Sequence, residues 1–184
     1  MEVSRNVIRI SLVFFGSLVL ISYAIGFSGT DDPMLLWGGL GENAWKFVVP
    51  FMLLAIIGFL IYWWTILISV DISVVRALRW PWSKQSDGKG ANRLFFALLT
   101  FLIPSIFWLE ATIFHMNNNY GWTPVLPIGI LILAAIGNIM FGLLAFSAYQ
   151  DDLPGSKLML LGSVLLGIQC VIYDGIIWNA MFPW

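Results

Sequence analysis

The stretch Val125–Tyr149 reads VLPIGILILAAIGNIMFGLLAFSAY, and none of its 25 residues carries a charge. A helix rises about 1.5 Å per residue, so roughly 20 apolar residues cross the hydrocarbon core of a bilayer. Backbone amides in hydrocarbon have no water to bond, so an unbroken apolar run of this length predicts a transmembrane helix. The number of such runs decides the fold.

Four further runs of the same kind accompany this one. The chain is 60% hydrophobic and only 10% charged, whereas soluble domains average about 45–50% apolar and about 25% charged residues. Barrel strands would alternate apolar and polar residues over about ten positions, which these runs do not. We expect an all-α polytopic integral membrane protein with one transmembrane domain over residues 1–184. The five predicted spans are Ile8–Phe27, Phe47–Val70, Leu94–Phe114, Val125–Tyr149 and Leu158–Met181.

Basic residues are divided unequally between the two ends of the predicted bundle. Lys and Arg close to transmembrane segments are retained on the cytoplasmic side. Lys46 alone falls on the side of the first and third loops. The other eight basic residues fall on the opposite side and are Arg5, Arg9, Arg76, Arg79, Lys84, Lys89, Arg93 and Lys157. This bias predicts a cytoplasmic N-terminus and a C-terminus on the other side of the membrane.

The chain has one cysteine, Cys170, and one histidine, His115. A single cysteine excludes an intrachain disulfide framework and a Cys-x-x-Cys site. A single histidine excludes paired-histidine haem ligation by this chain alone. We expect Cys170 to be a small packing residue and His115 to be solvated at the membrane interface. No pattern in the sequence is typical of a metal site or of nucleic-acid binding. We also assign no catalytic residue and expect no resident cofactor.

Two acidic residues lie inside predicted spans, where a charge is costly. Glu110 lies in the third span and Asp174 in the fifth, at depths that differ by only about 5 Å, and this agreement suggests that they face each other. Three interpretations are open. The carboxyl groups stabilise helix packing through hydrogen bonds with groups such as Asn138 or Gln169. Alternatively they line a cavity that takes a ligand or a proton, or they form a catalytic pair.

Most of the ten tryptophans lie near span ends, where aromatic belts are expected. Trp108 and Trp178 instead fall inside the third and fifth spans, near Glu110 and Asp174. Asp174 and Trp178 are four residues apart, a spacing that places them on one face of an α-helix. Flat apolar surface beside a few polar groups is suited to a planar or sterol-like ligand.

Motifs at three of the spans carry a resemblance to a known family. The second span begins Trp45-x-Phe47-x-x-Pro50, and the fifth contains Tyr173-Asp174-Gly175-Ile176-Ile177-Trp178-Asn179. Together with five spans in 184 residues and abundant tryptophan, these motifs resemble the TspO/MBR family of tryptophan-rich sensory or translocator proteins. Asp174 stands where that family usually has Asn, and its Lys-Pro-x-Trp-x-Pro-Pro segment before the second helix is missing. Ser105-x-x-Trp108 is similar to its Asn-x-x-Trp.

The resemblance implies a five-helix bundle, often a homodimer, that binds porphyrins, sterols or related apolar lipids in a pocket beneath the first loop. It implies binding rather than turnover, with a porphyrin as ligand and not as a resident cofactor. The positions that carry over are Trp45, Phe47, Pro50, Trp108, Asp174 and Trp178. Glu110 and Asn138 complete the predicted ligand-binding set.

Two other functions stay open at the level of sequence. A non-catalytic accessory subunit of a larger membrane complex would use small-residue faces such as Ser163-x-x-x-Gly167 to pack against a neighbouring helix. A membrane-embedded lipid or sterol isomerase, or a proton-coupled carrier, would use Glu110 and Asp174 as proton donor and acceptor in an apolar pocket.

Overall fold

The computed structural model describes residues 2–30, 36–37, 45–118 and 120–184, except for the side chains of Trp45 and Phe47. Within these residues there is no strand, and five helices are long and apolar enough to cross a membrane. The prediction of an all-α bundle of five transmembrane helices is confirmed. The elements are α1 (Arg5–Ser28), α2 (Trp45–Trp64), a π-helical turn (Thr65–Ser69), α3 (Ile72–Ala77), α4 (Gly90–Asn118), α5 (Val125–Gln150), α6 (Ser156–Gly167), a π-helical segment (Ile168–Trp178) and α7 (Asn179–Met181).

Helices α1, α4 and α5 are longer than the predicted spans because the prediction follows apolar residues only. Helix α4 has 29 residues and therefore a length of about 44 Å, whereas the hydrocarbon core is about 30 Å thick. Its ends therefore reach the headgroup layers, where polar side chains are tolerated. Helix α4 packs against α1 and α5, and α6 packs against α2 and α5.

Helices α2 and α6 approach each other closely at Gly58 and Gly162. A Cβ added to either glycine would lie 2.6 Å from the carbonyl oxygen of the other. The obstructing atoms belong to the backbone, so the two helices would have to separate to admit a side chain. Lipid supplies no hydrophobic force between membrane helices, and close packing of this kind is what holds them together.

We predict that Gly162→Ala lowers the free energy of unfolding by about 1–3 kcal/mol, the usual cost of overpacking. Thermal unfolding of the detergent-purified protein measures the effect. Gly129→Ala in α5 is the matched control, because nothing lies within 4 Å of a Cβ at that position and alanine is favoured over glycine in a helix by about 1 kcal/mol. Equal shifts in melting temperature for the two variants would contradict the tight crossing.

Arg5 and Arg9 of α1 bind carbonyl groups at the end of the second span. Arg5 Nη2 donates to the carbonyl oxygen of Val70 at 2.6 Å, and Arg9 Nη2 donates to that of Leu67. The last carbonyls of a helix lack partners within the helix and carry partial negative charge, so a guanidinium group stabilises that terminus. These bonds anchor the start of α1 at what we call the basic end of the bundle, the end that carries the N-terminus and the loops after α3 and α5.

Arg79 connects two loops at the basic end. Its guanidinium donates to both carboxylate oxygens of Asp151 at 2.7 Å and to the carbonyl oxygen of Ser83 at 2.5 Å. The hydroxyl of Ser147 in α5 donates to the carbonyl oxygen of Arg79. Charge-assisted bidentate pairs of this type are stronger than neutral hydrogen bonds, so the loop after α3 is held against the end of α5.

Hydrogen bonds from Arg79 hold the pKa of Asp151 below its usual value. A carboxyl group with a lower pKa in the folded protein adds stability above its unfolded pKa of about 3.9, and this stability is lost as the pH falls through the folded pKa. We expect the melting temperature in detergent to fall below about pH 4, and to fall less in Asp151→Asn, which has no carboxyl group to titrate. Asp152→Asn, at an exposed neighbouring position, is the control and should follow the wild type. If the melting temperature of Asp151→Asn falls at low pH as much as that of the wild type, the Arg79–Asp151 pair does not contribute to stability in this way.

Candidate functional site

A cavity of about 200 Å³ lies inside the half of the bundle away from the basic end. Every spanning helix contributes to its wall, as do Leu36 and Trp37 of the first loop. The wall is mostly apolar and rich in aromatic rings. We call it the aromatic cavity.

Asp174 is the one acidic side chain among the described residues that line the aromatic cavity. It lies in the π-helical segment, where backbone hydrogen bonds join residues five apart. Gln169 Nε2 donates to Asp174 Oδ1 at 2.8 Å. In an α-helix, side chains five residues apart point about 140° away from each other, so the π-helical geometry is what brings this pair together. The bond orients the carboxyl group in the cavity wall.

Trp108 of α4 lies between two other aromatic rings of the wall. Its ring centroid is 5.7 Å from that of Tyr23 in α1 and 5.7 Å from that of Trp178. The two tryptophans meet edge to face at 72°, an arrangement worth about 0.5–1.5 kcal/mol beyond the buried area. Trp108 Nε1 is buried and has no hydrogen-bond partner within the described part of the chain. The aromatic wall is therefore well supported, and it retains one indole N–H donor.

Trp178 also positions the first loop. Its Nε1 donates to the carbonyl oxygen of Leu36 at 3.0 Å, and both residues are buried. Leu36 and Trp37 are part of the cavity wall. A single tryptophan thus contributes its ring to the cavity wall and its N–H group to the first loop.

Three residues of the predicted ligand-binding set line the aromatic cavity: Trp108, Asp174 and Trp178. They come from two helices far apart in the sequence, and the fold brings them together. The side chains of Trp45 and Phe47, which belong to the same predicted set, lie outside the described residues.

Pro50 and Asn138 are not among the residues that line the cavity. Pro50 is exposed near the start of α2. Asn138 is buried in α5, one helical turn from the wall residue Ala134, and its Nδ2 lies 3.5 Å from the carbonyl oxygen of Ser163. That distance is at the limit of a hydrogen bond. Asn138 therefore packs α5 against α6 and does not reach the cavity.

The face formed by Ser163 and Gly167 also packs inside the bundle. Ser163 is buried, and a Cβ added to Gly167 would lie 2.9 Å from Asn138 Oδ1. The sequence suggested this face for a neighbouring protein, but α5 of the same chain occupies it. A face of small residues can pack closely against a helix of the same chain or of another chain. The sequence does not specify which of the two it contacts.

Glu110 points away from the cavity. It is exposed on the outer surface of α4, in a row with Phe107 and Phe114, which are exposed as well. Its neighbour Leu109 is fully buried. Glu110 therefore does not face Asp174 across the cavity. Equal depth along two helices leaves the rotation of each side chain about its helix axis undetermined.

His115 is buried, and the prediction that it is solvated at the interface is wrong. The residue is 3% exposed, and its Nδ1 lies 2.7 Å from Thr123 Oγ1. The rings of Phe182 and Trp184 pack against it, with centroids 5.9 and 5.4 Å away. The segment after α7 covers this histidine, a contact between residues nearly seventy positions apart that local sequence does not reveal.

Two cavity residues, Tyr23 and Cys170, are not singled out by the sequence as ligand-binding. Tyr23 is the single tyrosine of α1 and lies in its second half, and that position is the available signal. Cys170 lies four residues before Asp174 and lines the same wall. Cys170 was predicted to be a small packing residue, and the structure shows that it also lines the cavity.

The arrangement is suited to binding and orienting a small molecule. It combines ring faces with one carboxyl group, phenolic hydroxyls and one unpartnered indole N–H. The part of the chain that the structure describes holds no group of three or more His, Cys, Asp or Glu side chains that could bind a metal ion. The fold and the cavity define a small polytopic membrane protein with an internal aromatic cavity. No protein-family model matches the chain, and no curated protein or solved structure is significantly similar to it.

We predict that Trp178→Phe loosens the first loop while it preserves an aromatic ring in the wall. The substitution removes the N–H group that binds the carbonyl oxygen of Leu36, at a cost of about 1–3 kcal/mol for the buried acceptor left unpaired. Hydrogen exchange followed by mass spectrometry should show faster exchange in peptides that contain Leu36 and Trp37. Trp64→Phe, at a tryptophan that is 61% exposed, is the matched control. Unchanged exchange in Trp178→Phe would contradict the anchoring role.

Proposed function

We propose that this chain is a ligand-binding membrane protein of TspO/MBR-like character, which takes the flat apolar part of a planar or sterol-like ligand into the aromatic cavity. The observation that carries the proposal is the convergence of Trp108, Trp178 and Asp174 on one cavity. Pockets for small molecules are typically apolar and aromatic with a few placed polar groups. Porphyrins, sterols and related lipids are the ligand classes that the family resemblance suggests.

The size of the cavity limits how much of a ligand it can hold. Ligand pockets usually measure about 300–1,000 Å³, and an engineered cavity of about 150 Å³ accepts benzene. At about 200 Å³, the aromatic cavity has room for one or two rings. We therefore propose that one end of a porphyrin- or sterol-sized ligand enters, while the remainder lies between the helices or in the lipid.

The same proposal gives the two carboxyl groups different roles. Asp174 lies in the wall and can orient a polar end of the ligand. Glu110 is exposed on the outer surface of α4, so a catalytic pair or proton relay between the two gains no support from this geometry. Binding without turnover is the simpler function.

We also propose that the basic end is cytoplasmic, with the N-terminus there and the C-terminus on the opposite side. The support is the distribution of charge, because eight of the nine Lys and Arg residues belong to that end. In this orientation the aromatic cavity lies in the outer half of the membrane, beneath the first loop.

The proposal is tested by titrating the detergent-purified protein with protoporphyrin and with dehydroergosterol, each of which accepts excitation energy from tryptophan. We expect saturable, near-stoichiometric quenching of tryptophan fluorescence. Trp178→Leu should weaken the binding of both ligands at least tenfold, equivalent to about 1.4 kcal/mol, because it removes a stacking surface. Asp174→Ala should weaken the binding of the sterol by a similar factor, because it removes the acceptor for the sterol hydroxyl. Trp64→Leu is the matched control for loss of an exposed tryptophan and should keep the wild-type affinity.

Linear, non-saturating quenching by both ligands in a folded sample would contradict this function. That result would favour a second candidate, an accessory subunit of a larger membrane complex. Exposure of Glu110 is the observation behind this candidate, because ionisable residues in membrane helices usually face protein or water. A neighbouring chain that donates a hydrogen bond or a positive charge would cover it, and native co-purification would identify that chain.

A further inference from the structure

The end of the molecule that holds the aromatic cavity is acidic. By sequence, the loop before α2 contributes Asp31, Asp32 and Glu42 against the single basic residue Lys46. The remaining eight basic residues belong to the opposite end. A charge distribution of this kind attracts cations toward the cavity end and repels anions.

The cavity wall has the same bias. Its described residues include the carboxyl group of Asp174 and no Lys, Arg or His. Asp174 accepts a hydrogen bond from Gln169 at 2.8 Å, whereas a carboxylate has about four acceptor positions. Acceptor capacity therefore remains for a donor or a positive charge inside the cavity.

Aromatic faces accompany this carboxyl group. Tyr23, Trp108 and Trp178 line the cavity together with Asp174, and their centroids are separated by 5.7 Å in each neighbouring pair. The electron-rich faces of Trp and Tyr attract ammonium groups, and this attraction is stronger where water is excluded. Rings around one acidic group form the chemistry of an aromatic cage for an organic cation.

We propose that the aromatic cavity selects an organic cation: a positively charged nitrogen on a small apolar body, held between the rings of Tyr23, Trp108 and Trp178 and the carboxylate of Asp174. The inference rests on the proposed function, in that the cavity is taken as the ligand site, and it names the charge of the group that enters. A charge taken out of water requires an opposite charge nearby, and Asp174 supplies it. The acidic substituents of a porphyrin would be repelled by Asp174 and would remain outside.

A pair of ligands with the same shape tests the charge requirement directly. Benzyltrimethylammonium carries a permanent positive charge, and neopentylbenzene has carbon in place of the nitrogen and is neutral. Both are roughly twice the size of benzene, which fits a cavity of about 150 Å³, so the trimethylated end enters the aromatic cavity and part of the ring can lie between the helices. Saturation-transfer NMR and calorimetry on the full chain in lipid nanodiscs measure binding, and empty nanodiscs subtract partition into lipid.

We expect the cation to bind saturably and at least tenfold more tightly than the neutral analogue. Asp174→Asn should abolish this preference, and its amide oxygen can still accept the hydrogen bond from Gln169. Glu110→Gln, which removes a carboxyl group outside the cavity, is the matched control and should keep the preference. Trp108→Leu should weaken the cation severalfold more than the neutral analogue, because it removes a ring face and preserves apolar bulk.

Equal affinity for the two ligands, or a preference that survives in folded Asp174→Asn, would overturn the cation inference. In that case Trp178-dependent binding of both ligands would leave the proposed ligand site standing. Absence of saturable binding by either ligand would also overturn the inference, and the porphyrin and sterol titrations would then decide the proposed function separately. Circular dichroism and elution volume establish folding, and the ligand pair on the wild-type chain is decisive even if Asp174→Asn does not fold.

Discussion

A backbone amide in the hydrocarbon layer has no water to bond, and it must find its partner within the protein. This constraint turns each apolar run into a helix and makes close packing between helices the source of tertiary stability. The crossing of α2 and α6 at Gly58 and Gly162 is the clearest example, since neither glycine has room for a Cβ beside the backbone of the other helix. The other spanning helices are likewise positioned by packing against their neighbours, as α4 is by α1 and α5.

The π-helical segment Ile168–Trp178 shows how the same constraint accommodates a polar site. Its backbone remains hydrogen-bonded, but its wider turn places Gln169 beside Asp174. A π-helical turn is less favourable than an α-helical one and occurs frequently at functional sites. Here the π-helical geometry lets a single segment orient the carboxyl group of Asp174 and place Trp178 in the wall of the same cavity.

The polar residues of the spans differ in burial and in the groups that surround them. Asp174 lies in a cavity wall with a hydrogen-bond donor beside it, Asn138 lies between two helices, and Glu110 lies on the outer surface. Three polar residues of the spans thus have different environments: a cavity wall, a helix contact and a surface open to lipid or to another chain. Composition and depth alone would assign them one shared role.

The sequence by itself determined the number of spans, their approximate bounds and the depth of each polar residue, because apolar run length and a rise of about 1.5 Å per residue depend only on local chemistry. It also placed Trp108, Asp174 and Trp178 in one predicted ligand-binding set, since Asp174 and Trp178 share a helix face and all three lie in the motifs that carry the family resemblance. The outward direction of Glu110, the burial of His115 and the inclusion of Tyr23 were decided by tertiary structure. A helix that is apolar all round has no polar stripe to indicate its rotation, so only its packing against neighbours determines which side chains face the cavity.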